Sequence, residues 1–389
     1  MSLLKNIRII DLTRFVAGPH CTLVLSDLGA EVIKIEKPLK GDDLRIIGPK
    51  IHKTSLWAAV LNRGKKSVSL NLKTKEGKEI LFRLLEKADI IVENFRPGVM
   101  EKLGLSWKNL RKVNKKIIMA RISGYGQNKD NIPRQAFDAT IQAETGFMEI
   151  SGNNQEPTMI GTVLLDYTTG LNTAIGILAA LNKRNLTGKG SLIETSLASS
   201  ALSLSMGAVP DFFLNNTNFG KNGNSDRYSA PSNTYKAKDG FIHIMAGSDD
   251  RFKGLANSMK KKSLINNSLY NNPQARLSNQ IKIDKIVNNW TKKNSIKCIG
   301  KILSSNSVPW GKVNSFSEFL KTKTAKNYLI NAKISKRSIK VPECAIKFRS
   351  GKKDYKNIIP NLGQDNNTIL RKVGYSKSQL ITLKKKKIF

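Results

Sequence analysis

Residues 161–170 read Gly-Thr-Val-Leu-Leu-Asp-Tyr-Thr-Thr-Gly, so one carboxylate, Asp166, ends an apolar run just before hydroxyl and small residues. A helix rich in small residues, Ala174 to Leu181, follows. Two chemistries suit such an Asp. It can cap a helix by accepting a backbone N–H at the positive end of the helix dipole. It can also attack an activated carbonyl, provided water is kept away. The usual competitors are missing: there is no Gly-x-Ser-x-Gly elbow, no Gly-x-Gly-x-x-Gly after the first strand and no Walker loop. His20, His52 and His243 lack zinc spacing, so no metal site is expected. His243 reads as structural, whereas His20 lies where it could line a pocket. Cys21, Cys298 and Cys344 are scattered and read as reduced thiols.

The 389-residue chain carries a formal net charge of +37. Its basic residues are spread over the full length with no aromatic-rich basic arm, which reads as a lysine-rich solvated surface rather than a nucleic-acid site. Such a surface also favours anionic ligands such as phosphorylated cofactors. No apolar stretch reaches the ~20 residues of a membrane span, and the N-terminus lacks a signal-peptide layout. The expectation is a cytoplasmic protein with no membrane partner, and Lys384 to Lys387 are expected to form a frayed tail.

Several elements must position Asp166. Arg8–Leu12 and Val32–Glu36 read as strands around a helix, Cys21 to Leu28, that begins after a break at Ala17-Gly18-Pro19. This is a βαβ crossover and predicts a parallel sheet. Further strands are expected at 67–72, 89–93, 117–122 and 191–196, and helices at 75–88, 110–114, 137–152, 169–181 and 197–209. The helix at 75–88 turns Ile80, Leu81, Leu84 and Leu85 to one face. The expected fold is α/β: a large Rossmann-like domain over 1–215, a smaller α+β domain with linkers over 216–330, and a segment over 331–389 that returns to the first. Ligands of such sheets bind at the carboxyl ends of the strands.

A series of blocks resembles the family III CoA-transferases, which include formyl-CoA transferase, carnitine CoA-transferase and the α-methylacyl-CoA racemases. The blocks are Asp11 to Pro19, Asp27 to Pro38, Gly41 to Arg45, Asn62 to Ser67, Val92 to Gly98, Ser123 to Gln127, Ala136 to Asp138, Leu165-Asp166, Gly176 to Leu181, Lys238 to Gly240, Val308 to Asn314 and Pro360 to Gln364. The resemblance implies an interlocked homodimer, with coenzyme A as co-substrate and no tightly bound cofactor. It implies that Asp166 is the nucleophile, forming an acyl–aspartyl anhydride and then an aspartyl-CoA thioester, so that CoA passes from an acyl-CoA to a carboxylic acid.

The same resemblance implies the CoA contacts. Val16 and Ala17 would hold the pantetheine arm by their backbone. Lys37 and Lys102 stand where the family has Arg at phosphate or adenine, which keeps the charge but loses the bidentate fork. Leu70, Asn71 and Leu72 would flank the adenine, with Lys73 reaching phosphate. Asn94, Phe95 and Arg96 would line the channel, and Arg134, Gln135, Ala136 and Phe137 would close over the thioester end. The alternative within this fold is an acyl-CoA racemase, which pairs the Asp with a His in a Gly-His-Asp stretch. Here that stretch is Ala136-Phe137-Asp138, and Phe137 cannot carry a proton. Val16 and the loop Gly223 to Ser229 differ from the formate/oxalate enzymes. The pattern sits nearer to members acting on dicarboxylates such as succinyl-CoA, and Arg227 could meet a distal carboxylate.

Overall fold

The structure is a computed structural model that describes residues 3–51, 54–127, 134–153, 156–334, 337–348 and 357–389; His52 lies outside them. The chain divides into two compact units, one comprising residues 1–145, 160–217 and 328–389, the other 146–159 and 218–327.

The first unit is built on a six-stranded parallel sheet. Its strands are β1 (Arg8–Asp11), β2 (Glu31–Glu36), β3 (Lys66–Ser69), β4 (Ile90–Glu93), β5 (Ile118–Ser123) and β6 (Leu192–Ser196), in the spatial order β3-β2-β1-β4-β5-β6. Strand order reverses between β1 and β4, where the crevice of a doubly wound sheet opens. Alternate side chains of each strand enter opposite layers. Ile9, Val32, Ile90 and Ile118 pack on one face against α1 (Ala17–Asp27) and, later in the chain, the long helix over 164–187. Ile10, Ile33, Val68 and Met119 pack on the other against α2 (Lys75–Glu86), whose Ile80, Leu81, Leu84 and Leu85 are all buried as the periodicity predicts. With both faces covered, the central strands β1, β4 and β5 are rich in apolar residues.

Three local expectations are corrected. Helix α1 starts at Ala17, four residues before the predicted Cys21. Pro19 falls in the first turn, where a missing N–H costs no helical bond, so it does not break the chain. Residues 137–152 form two short helices, α3 (Asp138–Glu144) and Phe147–Ile150, rather than one. Helix α4 (Leu164–Thr187) starts before Asp166, so that carboxylate lies inside the first turn and is not the N-cap. By length and composition α4 could cross a bilayer, but 44% of its apolar window is buried, and it packs on α1 and the sheet as a core helix.

The C-terminal segment is also more ordered than a frayed tail. Asp365 and Asn366 accept from the backbone N–H groups of Ser67 and Ser69 at the β3 edge. Asn71 donates its backbone N–H to the Ile388 carbonyl, Ile388 is buried, and Lys386 pairs with Glu76 at 2.9 Å. These anchors hold the lysine run that closes the chain.

The second unit holds a three-stranded antiparallel sheet, Ser232–Ala237, Gly240–Met245 and Trp310–Lys312, covered by helices at 249–258, 280–291 and 296–305. Its core includes Ile242, Ile244, Phe252, Ile283, Val287 and Ile299.

Helices α1 and α4 touch at Gly170: a Cβ there would lie 2.7 Å from the Ala17 carbonyl oxygen and 2.9 Å from His20 Nδ1. Glycine to alanine inside a helix ordinarily stabilises by about 1 kcal/mol. Here a backbone carbonyl blocks the methyl, so Gly170→Ala is expected to destabilise by about 1–3 kcal/mol. Urea denaturation checks the sign: the midpoint falls, whereas a rise would show that the helices do not touch there.

Candidate active site

The first turn of α4 is capped from outside. Its N-cap residue, Val163, has no side chain suited to the task. Asp138, buried at the start of α3, supplies it: Oδ2 accepts the Leu165 N–H at 2.7 Å and the Asp166 N–H at 3.0 Å. The other oxygen, Oδ1, accepts from Gln142 Nε2 at 2.5 Å. Gln142 Oε1 in turn accepts the Ile160 N–H at 3.0 Å, so α3 holds the approach to α4 as well as its first turn.

Asp166 itself points at α1. The Ala17 N–H, unpaired within its own helix because it belongs to the first turn, faces the Asp166 carboxylate and favours its charged form. Burial, and then the charge of Asp138, push the Asp166 carboxyl up to about 7, and the Ala17 N–H opposes them. Tyr167 is raised by burial and by the Asp166 charge. His20 Nδ1 lies 3.2 Å from the Tyr167 carbonyl, its ring edge-on to Tyr167 at 4.9 Å between centroids. Burial lowers the His20 pKa, so the ring is neutral at pH 7.

The residues singled out in the sequence fall into groups. Val16 and Ala17 are buried at the start of α1, with the Ala17 N–H facing Asp166. Phe137, exposed, stacks edge-to-face on Phe15 with centroids 5.4 Å apart, while the adjoining Asp138 caps α4. Lys37 is exposed just beyond β2; partial burial and then the charges of Arg14, Lys73 and Lys40 hold it below its usual range. Leu70 is buried past the end of β3, Asn71 Oδ1 accepts the Lys73 N–H, and Leu72 packs on the core. Phe95 also packs on that core, and Asn94 bonds the Arg14 backbone.

Arg96 and Gln135 are exposed, and Ala136 lies against Gly124. Arg134 pairs with Glu144 and stacks on Tyr125 at 4.5 Å. Lys102 is exposed at the end of the Val99–Lys102 helix, and no contact ties it to Asp166. Arg227 bonds the Gly220 carbonyl and lies 5.3 Å from the Phe219 ring, both within the second unit.

The sequence reading missed Asp138 as the cap of α4, although it sits in the Ala136-Phe137-Asp138 block. Only the fold brings together two carboxylates that are 28 residues apart. The resulting arrangement is a partly desolvated carboxylate with a helix-terminal N–H facing it and a like charge behind it. It suits nucleophilic attack, since Phe137 offers no proton-transfer partner.

Comparisons with known proteins identify the family. The sequence profile of CoA-transferase family III matches residues 4–366. The chain is 34% identical over 320 residues to succinyl-CoA–D-citramalate CoA-transferase of Chloroflexus aurantiacus, covering 82% of this chain and 80% of that protein. It is 32% identical over 377 residues to human succinyl-CoA:glutarate CoA-transferase, covering 95% and 86%. A crystal structure of a CaiB/BaiF family protein from Brucella suis superposes with a TM-score of 0.84 at 28% identity, covering 95% and 99% of the two chains. A six-stranded parallel sheet with a half-buried helix-terminal carboxylate and a match across nearly the whole chain lead to one assignment: the chain belongs to the family III CoA-transferases.

Proposed function

We propose that this CoA-transferase moves CoA from succinyl-CoA to a small dicarboxylic acid, with Asp166 as the covalent nucleophile. The observation that carries the reading is the placement of Asp166: half-buried, in a helical first turn, with the Ala17 N–H facing its carboxylate. One carboxylate oxygen attacks the thioester carbonyl, giving a succinyl–aspartyl anhydride and CoA thiolate. The thiolate attacks the aspartyl carbonyl, releasing succinate and leaving an aspartyl-CoA thioester. The acceptor carboxylate displaces CoA to form a second anhydride. The thiolate then attacks the acceptor's carbonyl, releasing the new acyl-CoA and the free carboxylate. Water would hydrolyse each activated species, so burial protects the energy carried between steps.

CoA lies, in this reading, across the carboxyl ends of β1, β2 and β4, where the strand order reverses. The cationic group Arg14, Lys37, Lys40 and Lys73 suits its phosphates. Val16 and Ala17 run beside the pantetheine, Leu70 to Leu72 flank the adenine, and Asn94, Phe95, Arg96 and Lys102 line the channel. Arg134 to Phe137 stand over the thioester. The relatives named for citramalate and glutarate support a dicarboxylate acceptor.

The protein assembles as an interlocked homodimer in the cytoplasm. Leu171 and Ile175 on α4, with Leu202, Met206, Phe213 and Leu214, leave apolar surface uncovered in the single chain, as a partner would require.

Incubation with succinyl-CoA and hydroxylamine is expected to inactivate the enzyme and mark Asp166 by peptide mass spectrometry. Asp166→Ala is expected to lose activity by about 10⁴-fold or more. Full activity in that variant would overturn the reading. Because the carboxylate is the reactive form, kcat/KM for succinyl-CoA is expected to rise with pH through a limb near pH 7. Asp138→Asn removes the like charge and is expected to move that limb down by about one pH unit. An unmoved limb would show that Asp138 exerts no charge effect on the reacting group.

A further inference from the structure

The loop between β1 and α1 is held to an unusual degree. Thr13 N–H donates to Asp11 Oδ1 at 2.9 Å, and Lys34 Nζ donates to the Thr13 carbonyl at 2.7 Å. Asn94 takes both polar groups of Arg14, accepting its N–H at 2.8 Å and donating to its carbonyl at 2.7 Å. Asp42 Oδ1 accepts the Phe15 N–H at 3.1 Å. Five consecutive backbone groups are thus bound by side chains from β1, β2, the end of β4 and the turn after β2. Phe15 sits at φ 60°, in the left-handed region that a non-glycine residue occupies only when its surroundings impose it.

The charges involved are buried. Lys34 pairs with Asp42 at 3.2 Å, with Asp11 at 3.9 Å, and Lys65 pairs with Asp11 at 3.0 Å. Thr22 on α1 also donates to Asp11, at 2.6 Å, and Glu36 faces Lys34 from the same strand. Apolar residues of equal volume would fill a core at least as well as such pairs. What apolar residues cannot do is bond the loop's backbone. The loop leads directly into Ala17, whose N–H meets Asp166.

We propose that Lys34, Asp42 and Asn94 are positioning residues that act through the backbone of Thr13, Arg14 and Phe15 to hold the Ala17 N–H against the Asp166 carboxylate. This rests on Asp166 being the nucleophile. The charged and titratable groups around Asp166 are Asp138 on α3, Tyr167 on α4 and His20 on α1. Loosening the loop leaves Asp138 and Tyr167, which lie on α3 and α4, in place and displaces the N–H that favours the carboxylate.

The test uses the full-length enzyme with Asn94→Ala, Asp42→Ala and Asp42→Asn. Asn at 42 keeps the oxygen that accepts from Phe15. The readout is the pH dependence of Asp166 labelling by a water-soluble carbodiimide, followed by peptide mass spectrometry, beside kcat/KM for succinyl-CoA. In Asn94→Ala and Asp42→Ala the labelling midpoint and the acidic limb are expected to rise together by about half a pH unit or more. Activity at neutral pH falls by about tenfold or more, and Asp42→Asn returns the midpoint toward wild type. Folded variants that are slower at every pH with an unmoved midpoint would overturn the proposal. If Asp42→Ala fails to fold, Asn94→Ala decides, since it leaves no buried charge unpaired. Labelling needs no turnover, so a shifted midpoint beside an active Asp166→Ala enzyme would sink the nucleophile reading and leave the positioning result standing.

Discussion

The N–H of Ala17 reaches Asp166 only because α1 and α4 pack backbone against backbone at Gly170. That contact brings the positive end of one helix onto the carboxylate in the first turn of another. The rest of the first unit serves it. The parallel sheet carries α1 and α4 on the same face, Cys21 and Leu25 pack among Ala174 and Ile177, and the strand order opens the crevice beside the β1 loop.

A nucleophilic carboxylate faces opposed demands. It must be shielded, or the activated intermediates hydrolyse, yet shielding favours the protonated form, which cannot attack. The burial of Asp166 and the neighbouring Asp138 push toward protonation, and the Ala17 N–H pushes back. The balance lies near neutrality, so modest changes in any of the three alter the reactive fraction. Asp138 has a double effect: it fixes the first turn of α4 through two backbone N–H groups while raising the pKa of the residue it positions.

The parallel sheet was legible because β1, β2, β4 and β5 are short apolar runs separated by helices, a pattern that admits few topologies. Asp166 was legible as a lone carboxylate at a helix start. Its helix was read as beginning at Thr169, after the apolar run that ends in Asp166. The capping residue lay far off in the chain. Pro19 looked like a break because proline stops helices, but in a first turn it does not. Lys384 to Lys387 looked solvated by composition, and the Ile388 contact that anchors them is a single apolar residue after the charges. The buried cluster of Asp11, Lys34, Asp42 and Lys65 had no signature, because each residue alone reads as surface. The CoA contacts came from the family resemblance and not from pattern.

The identity of the attacking atom is tested most directly by following oxygen. The enzyme is turned over in unlabelled water with succinyl-CoA and a dicarboxylate acceptor carrying oxygen-18 in its carboxylates, and the peptide containing Asp166 is then weighed. In the anhydride route the acceptor oxygen that bridges to Asp166 stays with it when CoA departs with the acyl group, so Asp166 must gain one heavy oxygen in the first turnover, approach two over later ones, and pass heavy oxygen to succinate. An unlabelled Asp166 peptide beside accumulating acceptor-CoA would show that the acyl group never bonds to this residue.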